Sequence, residues 1–469
     1  MSPELVEHTE TVRAGDARWR RPLLLAALSL TFGVVQLDAT IVNVALQTFR
    51  TDLGGGVDAA QWVVDGYAVP FGACMLTAGA LGDRFGHRRT CDAGFAIFGL
   101  ASVAAATAHG WPLLIAARAV QGVGAAAMLP ASLAMVAALY PGARERSRAL
   151  GIWGGIATVG FAAGPLVGGA VITASGWPAI FWINVPATAL VGGAIAVLGP
   201  RDQPRPRPIH PAGTTLGILA LATLTSGIIE AGDRRPLNAA VLLAVGVAAG
   251  GMFVRHERGS AHPLVPATLL RRPAYSWGLT TGFLFNFGMY GALLCVSLLL
   301  QGTFGYSALA GGLAVLPMAL VVSVGATSSG FLAAAIGPRR PMVIGFCCAA
   351  IGSLVMVWGG LARSPALVIV GLAGVGLCSL AMPAMTSVTL SAAPGEHAGL
   401  ASGSLNTARQ VGGAVGVALL GAAFNAGGAR GGFTAALVVA ALVCGAGVGS
   451  SSLAATRPTA AGPRGEEPR

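Results

Sequence analysis

Lysine is absent from all 469 residues, so the 29 basic side chains are all arginine. This excludes a Walker A phosphate loop, a pyridoxal Schiff base and a lysine general base. Charge of either sign is scarce, at 10% of residues, where an ordinary globular domain has about 25%. With 54% hydrophobic residues beside it, that scarcity excludes a soluble enzyme. Paired cysteine motifs are also missing. Cys74, Cys91, Cys295, Cys347, Cys348, Cys378 and Cys444 include no CxxC and have no histidine at ligand spacing, so they read as small apolar packers, with a disulfide or metal site as the alternative. No cofactor and no metal site are expected. Glycine, in contrast, is abundant, at 69 positions, and small residues let membrane helices approach closely. The chain reads as an integral membrane protein. The heavy use of Ala, Gly and Arg suggests a GC-rich bacterial genome. The net charge of +11 does not point to nucleic acid, because the arginines sit between hydrophobic spans.

A hydrocarbon core takes about 20 apolar residues per helix, and such runs occur fourteen times between residues 22 and 454. The first run follows Arg20 and Arg21 but exceeds a signal-peptide core, carries Asp38 and lacks a cleavage site, so it is expected to stay in the protein. With the N-terminus inside, 22 arginines fall in inward segments and 5 in outward ones, while Arg118 and Arg409 lie within spans. The positive-inside rule then places both termini in the cytoplasm of a bacterial plasma membrane. The polar, Pro-rich tail after Ala455 is expected to be disordered.

Sliding the chain by 251 residues brings Gly79, Leu81, Gly86, Arg88 and Arg89 onto Gly330, Leu332, Gly337, Arg339 and Arg340. The match implies duplication of a six-span unit with two spans inserted between the copies, and a substrate site at the midplane between them. The expected plan is all-α: a cytoplasmic segment at 1–21, a six-helix bundle at 22–199, a linker with two extra membrane helices at 200–274, a second bundle at 275–454 and a cytoplasmic tail at 455–469.

Ionisable residues inside spans are expensive to bury, hence candidates for function. Asp38, in the middle of an apolar run, is either satisfied by Thr40, Asn43 or a neighbouring helix, or is a protonatable group facing the cavity. Asp65, early in the second span, is either an outer-cavity carboxylate or a structural polar residue. Glu230 reads as interfacial. Arg118 keeps its charge and must be paired, with Gln121 on the same helix face. Arg409, with Asn406 and Gln410, is either a polar patch of the second half or a substrate contact.

Several stretches carry a family resemblance: LDATIVNVALQ (Leu37 to Gln47), GALGDRFGHRRT (Gly79 to Thr90), LIAARAVQGVGAAA (Leu114 to Ala127) and GIATVGFAAGPLVGG (Gly155 to Gly169). Together they resemble the major facilitator superfamily, and within it the fourteen-span drug:proton antiporters. WVVDGY (Trp62 to Tyr67), FLFNFGMYG (Phe283 to Gly291) and LNTARQVGG (Leu405 to Gly413) are most similar to exporters of the methylenomycin A resistance type. The resemblance implies a major facilitator fold of 14 transmembrane spans that expels a small amphipathic drug or antibiotic in exchange for protons, as a monomer. An importer by symport is the alternative. It implies proton coupling through Asp38, Arg118 and Asp65, and cavity residues among Asn43, Gln121, Asn286, Asn406, Arg409 and Gln410. It also implies a cytoplasmic gate of Gly79, Asp83, Arg84, Gly86, Arg88 and Arg89, with Asp83 acting as a latch on an opposing helix N-terminus. His87 stands where the family usually has Arg. Gly155, Gly160, Gly164, Pro165, Gly168 and Gly169 match the antiporter motif, in which Pro165 kinks the helix.

Overall fold

In lipid every backbone N–H and C=O must be satisfied within its own segment, which favours helices. The computed structural model describes residues 3–54, 57–200, 211–232, 236–260, 263, 265–306, 308–394, 397–426 and 428–455, and these contain helices and no strand. The expected disorder after Ala455 lies outside the described residues. The first half contains α1 (Pro3–Leu53), α2 (Val57–Phe85), α3 (His87–Ala106), α4 (Trp111–Leu139), α5 (Ala143–Ser175), α6 (Pro178–Trp182) and α7 (Asn184–Leu198). Then come α8 (Pro211–Gly232), α9 (Pro236–Gly259) and the short α10 (Ala267–Leu270). The second half contains α11 (Pro273–Gly302), α12 (Ala308–Ile336), α13 (Arg339–Leu361), α14 (Pro365–Gly376), α15 (Ala381–Ala392), α16 (Ala398–Ala426) and α17 (Gly428–Ala454). A 3-10 turn at Leu377–Leu380 joins α14 to α15.

Among the described residues, 12 helical stretches are long and apolar enough to cross a membrane, or 13 with the two limbs of α5 counted as one span. The remaining expected span coincides with α3, which does not meet that test. Its first turns carry Arg88, Arg89 and Asp92. Large apolar side chains such as Leu100, Leu190, Leu237, Val247, Leu320 and Trp358 are exposed on the outer surface. On a water-soluble protein so much exposed apolar surface would be an aggregation liability, whereas here it faces lipid.

The duplication is visible in the backbone. Gly86 ends α2 with φ 106° and Gly337 ends α12 with φ 82°, and the two positions are 251 residues apart. Each turn uses a left-handed conformation that glycine adopts without a Cβ clash. Packing repeats as well. In the first half α5 lies on α1, where a Cβ at Gly160 would strike the Gly33 carbonyl and one at Gly164 the Thr40 hydroxyl. In the second half α16 lies on α11, with Gly412 against the Phe283 backbone and Gly416 against that of Phe287.

Pro165 has no N–H, so the Phe161 carbonyl four residues earlier loses its helical donor. The hydroxyl of Thr40, across the helix pair, stands 3.0 Å from that oxygen and 3.0 Å from its own-helix acceptor at Gln36. The limbs Arg144–Phe161 and Leu166–Ser175 of α5 meet at 41°, which is the kink expected from the proline. The Pro165 side chain is outside the described residues.

Space around the motif glycines is uneven. A Cβ at Gly168 would sit 2.8 Å from Ile41 Cγ1, while one at Gly169 would meet nothing within 4 Å. Gly164→Val is therefore expected to lower stability in detergent by about 1–3 kcal/mol through overpacking, and Gly169→Val to change it by less than about 0.5 kcal/mol. Thermal denaturation of the two variants side by side checks the order.

Candidate functional site

The first half is organised around one buried ion pair. Asp38 of α1 and Arg118 of α4 are 0% and 1% exposed, and Arg118 Nη1 donates to Asp38 Oδ2 at 2.6 Å. A charge pair this deep needs its remaining donors and acceptors filled. Arg118 Nε donates to the Val63 carbonyl of α2 at 3.1 Å and Nη1 to Gln121 Oε1 at 3.0 Å. Gln121 in turn donates to Ser102 Oγ of α3 at 2.7 Å. The guanidinium lies 4.2 Å from the ring centroid of Tyr67 and 5.9 Å from that of Phe181, within reach of cation–π attraction. The second carboxylate oxygen accepts from Asn184 Nδ2 of α7 at 2.6 Å. The network thus ties α1, α2, α3, α4 and α7 together.

Asn184, Ser102 and Tyr67 are members that sequence reasoning missed. Asn184 offered a faint signal as an amide inside an apolar run. Tyr67 closes the WVVDGY stretch, which did not point to Arg118, and Ser102 offered no signal, since serine also occurs as an ordinary core packer.

The cavity between the halves has a different lining. Phe32, Gln36, Thr158 and Phe161 come from the first half, and Phe285, Tyr290, Met318, Met382 and Arg409 are among those from the second. Asp38 and Gln121 belong to the network inside the first bundle and do not line this cavity. Asn286 and Asn406 are buried at 1% and 3% exposure, and neither is a lining residue. Gln410 faces α2, where its Cβ would lie 3.4 Å from a Cβ on Gly72. Among the described side chains of the named cavity candidates, Arg409 is the one that reaches the lining. The side chain of Asn43 lies outside the described residues. Asp65 is half-buried in α2, two residues beyond Val63, and Glu230 accepts from Asn238 at 3.4 Å within the inserted pair.

At the end of the bundle that carries the α2–α3 turn, the halves close on each other. Asp83 accepts the backbone N–H groups of Gly399 and Leu400 at 2.8 Å each. These open α16, and a carboxylate there satisfies free donors and the positive end of the helix dipole. His87 Nε2 stands 3.5 Å from Asp83 Oδ1. Glycines permit the approach: a Cβ at Gly79 would strike the Gly399 carbonyl, and one at Gly330 would strike the Ser147 carbonyl of α5. Arg146 adds a hydrogen bond to Ser391 Oγ at 2.6 Å across the same seam.

The other loop residues stay within their own half. Arg88 donates to the carbonyls of Ala196 and Gly199 at the end of α7, a favourable place for a cation. Arg84 covers the ring of Phe85 and Arg89 is exposed. Gly86 supplies the turn. In the antiporter motif, Gly155 faces Thr327 of α12 across the halves, while Gly160, Gly164 and Gly168 face α1.

Residues 28–417 match the family model described as Major Facilitator Superfamily. The chain belongs to the major facilitator superfamily. Among superfamily members it is 36% identical over 411 residues to the multidrug resistance protein Stp of Mycobacterium tuberculosis, covering 86% of this chain and 76% of that protein. It is 34% identical over 408 residues to the methylenomycin A resistance protein of Bacillus subtilis, covering 85% and 86%. The tetracenomycin C resistance and export protein of Streptomyces glaucescens is 34% identical over 432 residues, covering 89% and 78%. The superfamily fold is also shared with the human organic anion transporter MFSD10, at a TM-score of 0.65 and 18% identity, covering 92% of this chain and 97% of that one.

Because the Asp38–Arg118 pair is dry, removing one member leaves the other unpaired. Asp38→Asn and Arg118→Gln are each expected to lose about 3–5 kcal/mol of stability. The double variant, which leaves two neutral amides, is expected to lose less than the sum of the two. A double-mutant cycle on thermal stability in detergent measures this coupling, and simple additivity would contradict it.

Proposed function

We propose that this transporter exports a small amphipathic compound, of the drug or antibiotic type, across a bacterial plasma membrane in exchange for protons. Its relatives are named for resistance and export, and the observation in this chain that supports coupling is the isolated buried pair of Asp38 and Arg118. A buried ion pair contributes little net stability, so its presence in an apolar bundle favours a role in the transport cycle. Protonation of Asp38 would dissolve the attraction to Arg118 and free the guanidinium. The network of α1, α2, α3, α4 and α7 would then have two arrangements, one for each protonation state. Asp65, close along α2 to the Val63 acceptor, is the second carboxylate of the proposed proton path. The conformation seen here, with Asp83 bound to the opening of α16, is the cytoplasm-closed state in this reading, with both termini cytoplasmic. Fourteen spans, two bundles at 22–199 and 275–454 and an inserted pair at 200–274 complete the proposed plan, and the unit acts as a monomer.

The direction of movement is tested in everted vesicles containing the protein, using methylenomycin A and tetracenomycin C as trial compounds. Accumulation driven by an acidic vesicle lumen is expected, with loss of accumulation in a stably folded Asp38→Asn protein. Accumulation only when the lumen is alkaline would identify an importer instead.

For the latch, Asp83→Asn keeps one acceptor oxygen and loses the charge. The cytoplasm-closed state is expected to weaken by about 0.5–2 kcal/mol, seen as a shift in spin-label distances between α2 and α16. Substrate affinity should stay nearly constant, because Asp83 does not line the cavity.

A further inference from the structure

The two arginines inside the membrane differ in one decisive respect. Arg118 is paired with a carboxylate, an amide, a backbone carbonyl and a ring, whereas among the described residues Arg409 has no carboxylate within ion-pair distance. Its Nη1 donates to Asn406 Oδ1 at 3.3 Å, its Nη2 lies 3.9 Å from the sulfur of Met382, and its carbon Cζ stands 5.5 Å from the Phe285 ring centroid. Its Nε is buried and, among the described residues, has no hydrogen-bond acceptor. A guanidinium presents five N–H donors in a planar fork and stays charged, so most of its bonding capacity is unused. It also lines the central cavity, and among the described residues it is the only charged group to do so. Of the carboxylates in the spans, Asp38 is engaged with Arg118 and Asn184 and Glu230 with Asn238, while Asp65 is half-buried in α2 and does not line the cavity.

We propose that Arg409 is the recognition site for an anionic group, a carboxylate or acidic enol, on an aromatic or otherwise apolar substrate held in this cavity. The proposal rests on the reading of the cavity as the transport site. The apolar body of such a compound packs against Phe32, Phe161, Phe285 and Met318, and its anionic end accepts from Arg409. Tyr290 of the same wall supplies a neutral hydroxyl donor. Charge-assisted pairing of this kind is strong where water is excluded, and a cationic compound of the same shape would face an unscreened like charge. Export of an anion is also favoured by a cell interior that is electrically negative.

Three fluorescent probes with one apolar body and different ends test this: 1-pyrenebutyrate, 1-pyrenebutanol and 1-pyrenebutyltrimethylammonium, titrated against the purified full-length protein in neutral detergent. The butyrate is expected to bind about tenfold or more tightly than the trimethylammonium probe. Arg409→Gln should bring the two within about twofold of each other, Arg409→Lys should keep most of the preference, and the alcohol should bind all three proteins with similar affinity. Equal or tighter binding of the cation by the unaltered protein overturns the proposal whether or not the variants fold. So does an undiminished anion preference in Arg409→Gln. Absence of saturable binding by all three probes would remove the cavity reading itself. Binding that follows the expected order while the everted vesicles accumulate compound only with an alkaline lumen would instead remove only the export direction.

Discussion

Helices in hydrocarbon are not driven together by the hydrophobic effect, because lipid tails are as apolar as the side chains they would replace, so close contact and internal hydrogen bonds must hold them. The abundance of glycine follows from this constraint. Gly160, Gly164 and Gly168 let α5 lie on α1, Gly412 and Gly416 let α16 lie on α11, and Gly79 and Gly330 let the two halves touch at one end. The same surfaces that permit packing permit sliding, since a glycine face offers no side chain to interlock. Backbone meeting backbone at the seam, with Asp83, Arg146 and Ser147 adding polar contacts, is a join that can be made and broken repeatedly.

Charge is distributed between the halves unevenly, although their backbones repeat. The position 251 residues after Asp83 is Ala334, and that after Arg118 is Ile369. The first half holds the ion pair and the helix-capping carboxylate, while the second half supplies the arginine of the cavity wall. Duplication preserved the turns and the glycine faces, which any such bundle needs. The polar groups diverged, as expected if one half is tuned to protons and the other to the compound carried.

Much of the fold was legible in the sequence because its signals are local or periodic. Apolar runs, the 251-residue shift, the proline in α5 and the glycine spacing each map onto a helix, a turn or a contact face. The contact of Asp83 with an opposing helix N-terminus was expected from the family resemblance, and its geometry is explained by the free N–H groups at a helix opening. Side-chain direction across helices was the illegible part. Asp38 reads equally well as facing a cavity or a neighbour until α4 and α7 are placed beside it, and the structure brings Arg118 and Asn184 to it. Gln121, Asn286 and Asn406 are polar residues in apolar helices, but a period of 3.6 residues does not say which neighbouring helix each face meets. Thr40 illustrates the same limit: its pairing with the Phe161 carbonyl depends on the depth at which α1 and α5 cross.

The contrast between the two arginines bears on how binding and coupling communicate. Arg118 sits in a network inside the first bundle that does not line the cavity, so a compound there has no direct access to the Asp38–Arg118 pair. Communication must pass through the helices they share. Phe32 and Gln36 line the cavity from α1, six and two residues before Asp38 on the same helix, and Phe161 lines it from α5 beside the proline kink that Thr40 of α1 supports. A ligand that presses on these positions bears on α1 and on its join with α5, the helix that carries one partner of the ion pair. An ion pair at 2.6 Å tolerates little displacement before its geometry fails. In the proposed cycle, movement of α1 relative to α4 is the step at which occupancy of the cavity and protonation of Asp38 exchange free energy.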